Sequence, residues 1–233
     1  GENGKGALLR IVRHCLGDYY QSAPPSLIVE DGKGGGASPE IARLHGIRLV
    51  EIEETGDGDK LNESQVKWLT GSDRLVARHL YGNYFEFDPG FTPILVTNHR
   101  PRVKSNGHAI WRRLRLVPFQ FQVPPDKKDG RLDEKLRAEA PAVLAWIVEG
   151  AMAYYSHGMP KSATVDGATD DYRNDEDTLS PFLSDRTLEG GTANRTALYK
   201  AYRDWCEAEG EYPMSPHRFN GQLRERGYTE VAK

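Results

Sequence analysis

Two short apolar runs, each ending abruptly in polar chemistry, constrain this chain most. Arg48-Leu-Val-Glu-Ile-Glu-Glu54 stops at a pair of carboxylates, and Ile94-Leu-Val-Thr-Asn-His-Arg-Pro101 stops at Asn98. Runs of that length, bounded by turn residues, suit buried strands of an α/β core. Ahead of both stands Gly1-Glu-Asn-Gly-Lys-Gly6, a glycine-rich lead into a helical pattern.

The bulk numbers narrow the classes. At 233 residues the chain can hold one α/β core and a small module. Its formal net charge of -3 gives no global attraction to nucleic acid, so any such binding must come from a local patch. Cys15 and Cys206 are the two cysteines, far apart and without His or Cys neighbours at metal spacing. That argues against a disulfide framework or a zinc site and favours an intracellular protein. No apolar run approaches the ~20 residues that cross a bilayer, and no signal-peptide pattern is present, so no membrane partner is expected. The chain opens at Gly1 inside what looks like a motif, which we read as an N-terminal truncation with at least one strand upstream.

Residues 5–16 place Leu8, Leu9, Val12 and Leu16 at helical spacing, closed by Gly17. Residues 22–36 are rich in Pro and Gly and read as a loop around a short strand at 27–29. Ser38 can cap a helix over 39–44, with Pro39 at its first position. A strand is expected at 47–52 and a short helix at 62–69, ended by Gly71. Residues 74–87 alternate, Leu75, Ala77 and His79 against Val76, Arg78 and Leu80, with Gly82-Asn83 between the halves, which predicts a hairpin. Strands are expected at 92–97 and 116–123, a linker at 124–130, and helix over 132–157 restarted at Pro141. Composition shifts toward Asp, Thr and Gly from Thr164, placing the boundaries at 1–123, 124–163 and 164–233. Helical patterns at 178–188, 195–208 (Leu198, Tyr202, Trp205) and 216–226 suit a winged helix whose wing is cut off.

The chemistry-bearing residues lie at the ends of these segments. A phosphate-binding loop needs glycines whose backbone N–H groups face the phosphates, a lysine for the β/γ oxygens and a helix N-terminus behind. Asn3, Gly4, Lys5 and Gly6 supply the last part, and Gly6 stands where a Mg²⁺-ligating hydroxyl is usual; the bland alternative is a flexible end. Glu53 and Glu54 can put one carboxylate on a Mg²⁺ shell and use the other to polarise a water, or can form a solvated acidic turn. Asn98 can orient a water or sense a phosphate, or merely cap its strand. Residues 99–119 hold Arg100, Arg102, Lys104, Arg112, Arg113 and Arg115 and no acid. Such a cluster can lend an arginine to a neighbouring subunit's nucleotide, meet DNA phosphates, or form a solvated basic face. His14, His45 and His217 belong to no constellation.

Taken together these residues resemble the superfamily 3 helicases, and within them the phage and plasmid primase-helicases related to the poxvirus type. The resemblance rests on Gly-Glu-Asn-Gly-Lys-Gly6, Arg48-Leu-Val with Glu53-Glu54, Val66-Lys-Trp-Leu-Thr-Gly-Ser-Asp73, Ala77-Arg78-His-Leu-Tyr81 and Phe85-Glu-Phe87. It continues through Thr97-Asn-His-Arg-Pro101 and Ala109-Ile-Trp-Arg-Arg-Leu-Arg-Leu-Val-Pro-Phe119, in the family's order, from Gly1 to about Gly158. It implies an AAA+-like P-loop NTPase core with a helical and winged-helix tail, acting as an ATP-dependent DNA helicase with Mg²⁺. It further implies a ring, six-membered in the usual case, a primase domain upstream, and a phage or mobile element in the cytoplasm of a bacterial host. Residue by residue, Lys5 would be the phosphate-loop lysine, Glu53 and Glu54 the metal and water carboxylates, with Glu53 on the metal, and Asn98 the sensor. Arg115, with Arg112 and Arg113 as competitors, would be the finger acting in trans. Lys67, Arg78 and His79 would face the DNA. A different class of reading is an inert DNA-binding or assembly module that uses the winged helix.

Overall fold

The computed structural model describes residues 3–30, 39–104, 107–188 and 190–231. Gly1 and Glu2 of the glycine-lysine motif and the Ser38 cap lie outside the described residues. Helix α1 (Lys5–Leu16) forms where the periodicity predicts it, with Ile11 and Val12 buried, and Gly17 closes it. Strand β1 (Tyr20–Ala23) follows; it lies where the sequence predicts the start of a loop. The strand expected at 27–29 is a 3-10 turn (Pro25–Leu27), with Val29 making a single antiparallel bridge to Leu61. Helix α2 (Pro39–Ala42) is short, and strand β2 (Leu49–Ile52) buries Val50 and Ile52. Helix α3 (Glu63–Leu69) is capped by the Asn62 side chain, which accepts from the Gln65 amide at 3.1 Å.

Strands β3 (Leu75–Arg78) and β4 (Tyr84–Phe87) form the expected hairpin, paired from Leu75↔Phe87 to Arg78↔Tyr84. Leu75, Ala77 and Phe87 point into the core while Val76, Arg78, Tyr84 and Glu86 stay outside, as the alternation requires. Its turn is wider than a two-residue Gly-Asn loop: residues 79–83 separate the strands, and Tyr81 sits at φ 61°. Strand β5 (Thr92–Leu95) joins β2, giving one three-stranded parallel sheet of order β1-β2-β5. Helix α4 (His108–Trp111) buries Ile110 and Trp111. The fold is thus α/β with a parallel sheet, consistent with the expected class at that coarse level.

The strand expected at 116–123 does not form. Two of its ladder groups are engaged elsewhere: the Leu116 amide donates to Thr169 Oγ1 at 3.0 Å, and the Phe119 carbonyl accepts from the Asn3 side chain at 2.9 Å. Pro118 has no N–H to offer a ladder. The run is apolar enough for a strand, but no described strand lies beside it to pair with.

Helices α5 (Leu132–Ala138) and α6 (Ala140–His157) break at Glu139, two residues before Pro141, and both pack on α1. Arg10 and Asp133 tie α1 to α5 at 2.9 Å. Helix α7 (Ala163–Asp175) clasps the segment after Asn98. Tyr172 donates to the Pro101 carbonyl, Glu176 accepts from the Val103 amide at 3.0 Å, and the Arg100 guanidinium lies 5.1 Å over the Tyr172 ring. Tyr172 is accordingly part of the main core, packed edge-on to Trp111. A second core begins only at Leu179. There α8 (Leu179–Arg186), α9 (Arg195–Glu209) and α10 (Pro216–Glu225) bury Phe182, Tyr202, Cys206, Met214 and Phe219, with the Tyr202 and Phe219 rings 4.8 Å apart. The composition shift at Thr164 therefore falls within α7, which packs with the first core.

Asp177 stands at the start of the second core and ties its ends together. It accepts from the Leu179 and Ser180 amides at 3.1 Å each, capping α8, and pairs with Arg226 just after α10. Both side chains are largely buried, at 10% and 19% exposure. Burial alone would raise the Asp177 carboxyl; the Ser180 hydrogen bonds and the Arg226 charge outweigh it and hold it below the usual carboxylate range. A depressed native value means the charged form stabilises the fold. That stability is present above the ordinary carboxylate value of ~3.9 and disappears as pH falls through the native value. Asp177→Asn should cost about 2 kcal/mol at neutral pH in urea unfolding, since it removes the charge that answers the largely buried Arg226 guanidinium. The gap between variant and parent should close as the titration is repeated below about pH 4.

Candidate functional site

Parallel pairing places the carboxyl ends of β2 and β5 side by side. The ladder runs from Leu49↔Thr92 to Ile52↔Leu95 and is extended by Val96 N–H to the Ile52 carbonyl at 3.2 Å. The residues that leave the two strands, Glu53-Glu54-Thr55 and Thr97-Asn98-His99, are therefore neighbours. Thr55 is almost wholly buried beneath them, its hydroxyl 3.0 Å from that of Thr97 and donating to the His99 carbonyl at 3.3 Å. Thr97 Oγ1 also accepts from the His99 amide at 3.1 Å. These hydroxyls fix the turn that carries Asn98.

Onto this edge comes the start of α1. Gly4 stands at φ 87° as its N-cap, a left-handed conformation that residues with a Cβ rarely adopt. Lys5 then reaches across: its Nζ donates to the Thr97 carbonyl and to Asn98 Oδ1, each at 3.0 Å. Asn98 in turn donates from Nδ2 to Glu54 Oε1 at 2.7 Å and from its amide to the same oxygen at 3.3 Å. Lysine, asparagine and glutamate from three separated segments thus form one hydrogen-bonded row. Asn98 faces a cation with its carbonyl oxygen and an anion with its amide, which fixes its side-chain orientation chemically. Asn3, through its bond to Phe119, anchors the start of α1 to the segment past the arginine cluster.

Glu53 and Glu54 diverge. Glu54 belongs to the row, whereas Glu53 lines a cavity of about 430 Å³ beside β1, together with Arg13, Arg43, Tyr20, Gln21 and Ser22. No group of three or more His, Cys, Asp or Glu side chains at metal-binding spacing occurs among the described residues. Mg²⁺ has a small requirement for protein ligands: it keeps several waters and takes one or two carboxylates plus phosphate oxygens, a set that Glu54, with Glu53 through the water shell, would fit. Gly6 supplies no hydroxyl there. A Cβ on it would meet only the end of the Arg10 side chain, at 3.1 Å.

The arginine cluster is dispersed. Arg115 pairs with Asp166 of α7 at 2.7 Å and Arg100 with Asp175 at 3.0 Å. Arg113 donates to the Ala109 carbonyl at 2.7 Å while its Nε is buried without a partner. Arg112 is exposed. In the hairpin, Arg74 engages Glu86 at 3.2 Å, which leaves Arg78 resting over the Tyr84 ring at 5.0 Å; His79 stacks on Phe85. Lys67 pairs with Glu63 one turn earlier in α3, at 3.4 Å. Sequence reasoning missed the two threonine hydroxyls and the pair Arg13 and Arg43. Arg13 lies on the surface of α1 and Arg43 in the turn after α2, and no local pattern sets them apart.

No protein-family model matches the chain. Among individual relatives, a "Putative helicase" of Acanthamoeba polyphaga mimivirus is 29% identical over 230 residues, covering 89% of this chain and 24% of the relative. A "Putative helicase" of Frog virus 3 is 30% identical over 240 residues, 93% of this chain and 24% of the relative. A "Putative primase" of African swine fever virus is 27% identical over 231 residues, 89% and 24%. The chain spans about a quarter of the length of the curated relatives it matches. These relatives come from viruses of eukaryotic hosts, so the bacterial host implied by the phage resemblance gains no support. Among the described residues no helix is long and apolar enough to cross a membrane.

Proposed function

We propose that this chain is the nucleotide-hydrolysing part of a viral replicative DNA helicase of superfamily 3 type, associated with a primase, which hydrolyses ATP to move on DNA. The observation that carries this reading is the row Lys5–Asn98–Glu54 at one edge of a parallel sheet, on the N-terminus of α1. The helicase and primase names of the viral relatives support it. Clefts at the carboxyl ends of parallel strands are where α/β folds hold nucleotides.

In this mechanism the amides of the first turn of α1 and the Lys5 ammonium hold the β- and γ-phosphates. Lys5 exchanges the Thr97 carbonyl for phosphate oxygens. Asn98 orients a water, and Glu54 accepts its proton as the oxygen attacks the γ-phosphorus and the bond to the β-phosphate oxygen breaks, leaving ADP and inorganic phosphate. Glu54, and Glu53 through a water, would hold a Mg²⁺ beside the phosphates, and that ion would supply neutralisation of the developing charge. Assembly as a hexameric ring would let Arg115, or Arg112 or Arg113, reach a neighbour's γ-phosphate. Arg115 can leave Asp166 at little cost, because exposed ion pairs contribute about 0–1 kcal/mol. Arg78, His79 and Lys67 would meet DNA phosphates. The inert winged-helix reading is less favoured, because Arg218 and Gln222 of α10 already donate to the Lys104 carbonyl.

Three measurements test this. Glu54→Gln should leave ATP binding nearly intact and lower turnover ~10²-fold or more, the range for losing a base; parental turnover in both Glu54→Gln and Glu53→Gln would remove the carboxylates from the chemistry. Gly6→Ser should be tolerated, since the Arg10 side chain can yield, and should lower the Mg²⁺ concentration for half-maximal turnover by restoring a hydroxyl ligand. Arg78→Ala should weaken single-strand binding equally across sequences and flatten the salt dependence by about 1 unit. A loss of thermal stability with an unchanged salt slope would make Arg78 a structural partner of Tyr84.

A further inference from the structure

Several cations of this molecule have a carboxylate within reach. Arg10, Arg74, Arg100, Lys104, Arg115 and Arg226 all form ion pairs. Arg13 of α1 and Arg43, just past α2, form none among the described residues, yet both line the same cavity of about 430 Å³. Glu53 lines that cavity too and pairs with neither. Two guanidiniums facing one open, polar space, with a single carboxylate on the wall, leave a local excess of positive charge in a chain that is negative overall.

Arg13 is held in place. Its guanidinium lies 5.9 Å over the Tyr20 ring, and the Tyr20 hydroxyl donates to Glu51, which lies diagonally across the β1–β2 ladder, opposite Ser22. Burial and the neighbouring Glu51 push the Tyr20 hydroxyl well above its ordinary value, so it remains a donor at all working pH. The ring therefore presents a fixed face to Arg13. The floor of the cavity is β1, the edge strand of the sheet, with Gln21 and Ser22 among its lining residues. Pro24 and the Gln21 side chain, which donates to the Ser22 carbonyl at 2.7 Å, blunt this edge against an added strand. The volume lies within the range of small-ligand sites.

We propose that Arg13 and Arg43 form a phosphate-ester site, adjoining the Lys5–Asn98–Glu54 row at Glu53 but distinct from it. A planar guanidinium matches the paired oxygens of a phosphate better than any other side chain, and two of them, one from α1 and one from the turn after α2, can grip one group from both sides. The phosphate ester can come from single-stranded DNA or from a free nucleotide, and the experiment separates these sources.

The Arg13→Gln, Arg43→Gln double variant is titrated with a labelled oligo-dT strand and, separately, with a fluorescent ATP analogue, across a series of salt concentrations. Binding of at least one probe should weaken about tenfold or more, and the salt slope for the strand should fall by about 0.7 for each phosphate contact removed. Loss confined to the strand assigns the site to nucleic-acid phosphate; loss confined to the nucleotide assigns it to nucleotide phosphate; loss of both is a site used by both. Unchanged affinity for both probes overturns the proposal. If the glutamine pair does not fold, Arg13→Lys with Arg43→Lys carries the test: affinity should fall several-fold at an unchanged salt slope, because charge is kept and the fork is lost. Unchanged affinity there overturns it equally. The outcome is independent of the hydrolysis reading, which Glu54→Gln tests on turnover alone.

Discussion

The parallel pairing of β2 with β5 is the constraint on which the candidate site depends. A parallel ladder delivers both carboxyl ends to one edge, whereas an antiparallel one would have sent Glu54 and Asn98 to opposite ends of the sheet. Three things complete the edge: the Thr55 and Thr97 hydroxyls that brace the exits, the left-handed Gly4 that starts α1, and the length of Lys5. None of them would bring the groups together without the register.

Helix α7 secures the other side of the same turn. The chain leaving Asn98 passes directly into Arg100, Pro101 and Val103, each of which contacts α7 or the residue after it. One step further, the Lys104 carbonyl takes the Arg218 and Gln222 side chains of α10. The residues that a winged helix would turn toward a groove thus serve here as a dock onto the first core. The segment between sensor strand and arginine cluster is held by side-chain hydrogen bonds rather than by a ladder.

Much of this was legible in the sequence, for identifiable reasons. Helices α1, α3, α8, α9 and α10 follow from periodicity and caps, and the hairpin from its alternation, because those signals are local. Strand β1 was missed because Tyr20-Gln-Ser-Ala23 carries no apolar run; its extended form comes from pairing with β2. The opposite error occurred at 116–123, where apolar residues promised a strand but the backbone groups found Thr169 and Asn3. At the site, Lys5, Glu54 and Asn98 were each recognisable as chemistry, while their contact was not, since nothing local links residues so far apart in sequence. Arg13 and Arg43 were invisible for the converse reason: a surface arginine becomes informative only when the structure shows it sharing a cavity with another.

The Glu53-Glu54 doublet shows what a linear motif conceals. Adjacent residues of an extended chain point to opposite sides. Glu54 accordingly meets Asn98 and, through it, Lys5, while Glu53 turns to the cavity that holds Arg13 and Arg43. Two carboxylates read as one catalytic pair are therefore divided between two electrostatic environments. One lies in a row whose lysine and asparagine already balance its charge, and the other shares a wall with two arginines it does not pair with. A cation bridging both side chains directly would have to pull one of them across the strand, so a shared metal is more readily reached through its water shell. That division gives each glutamate a separate task, and it places any anion bound by Arg13 and Arg43 next to the strand end from which hydrolysis would be run.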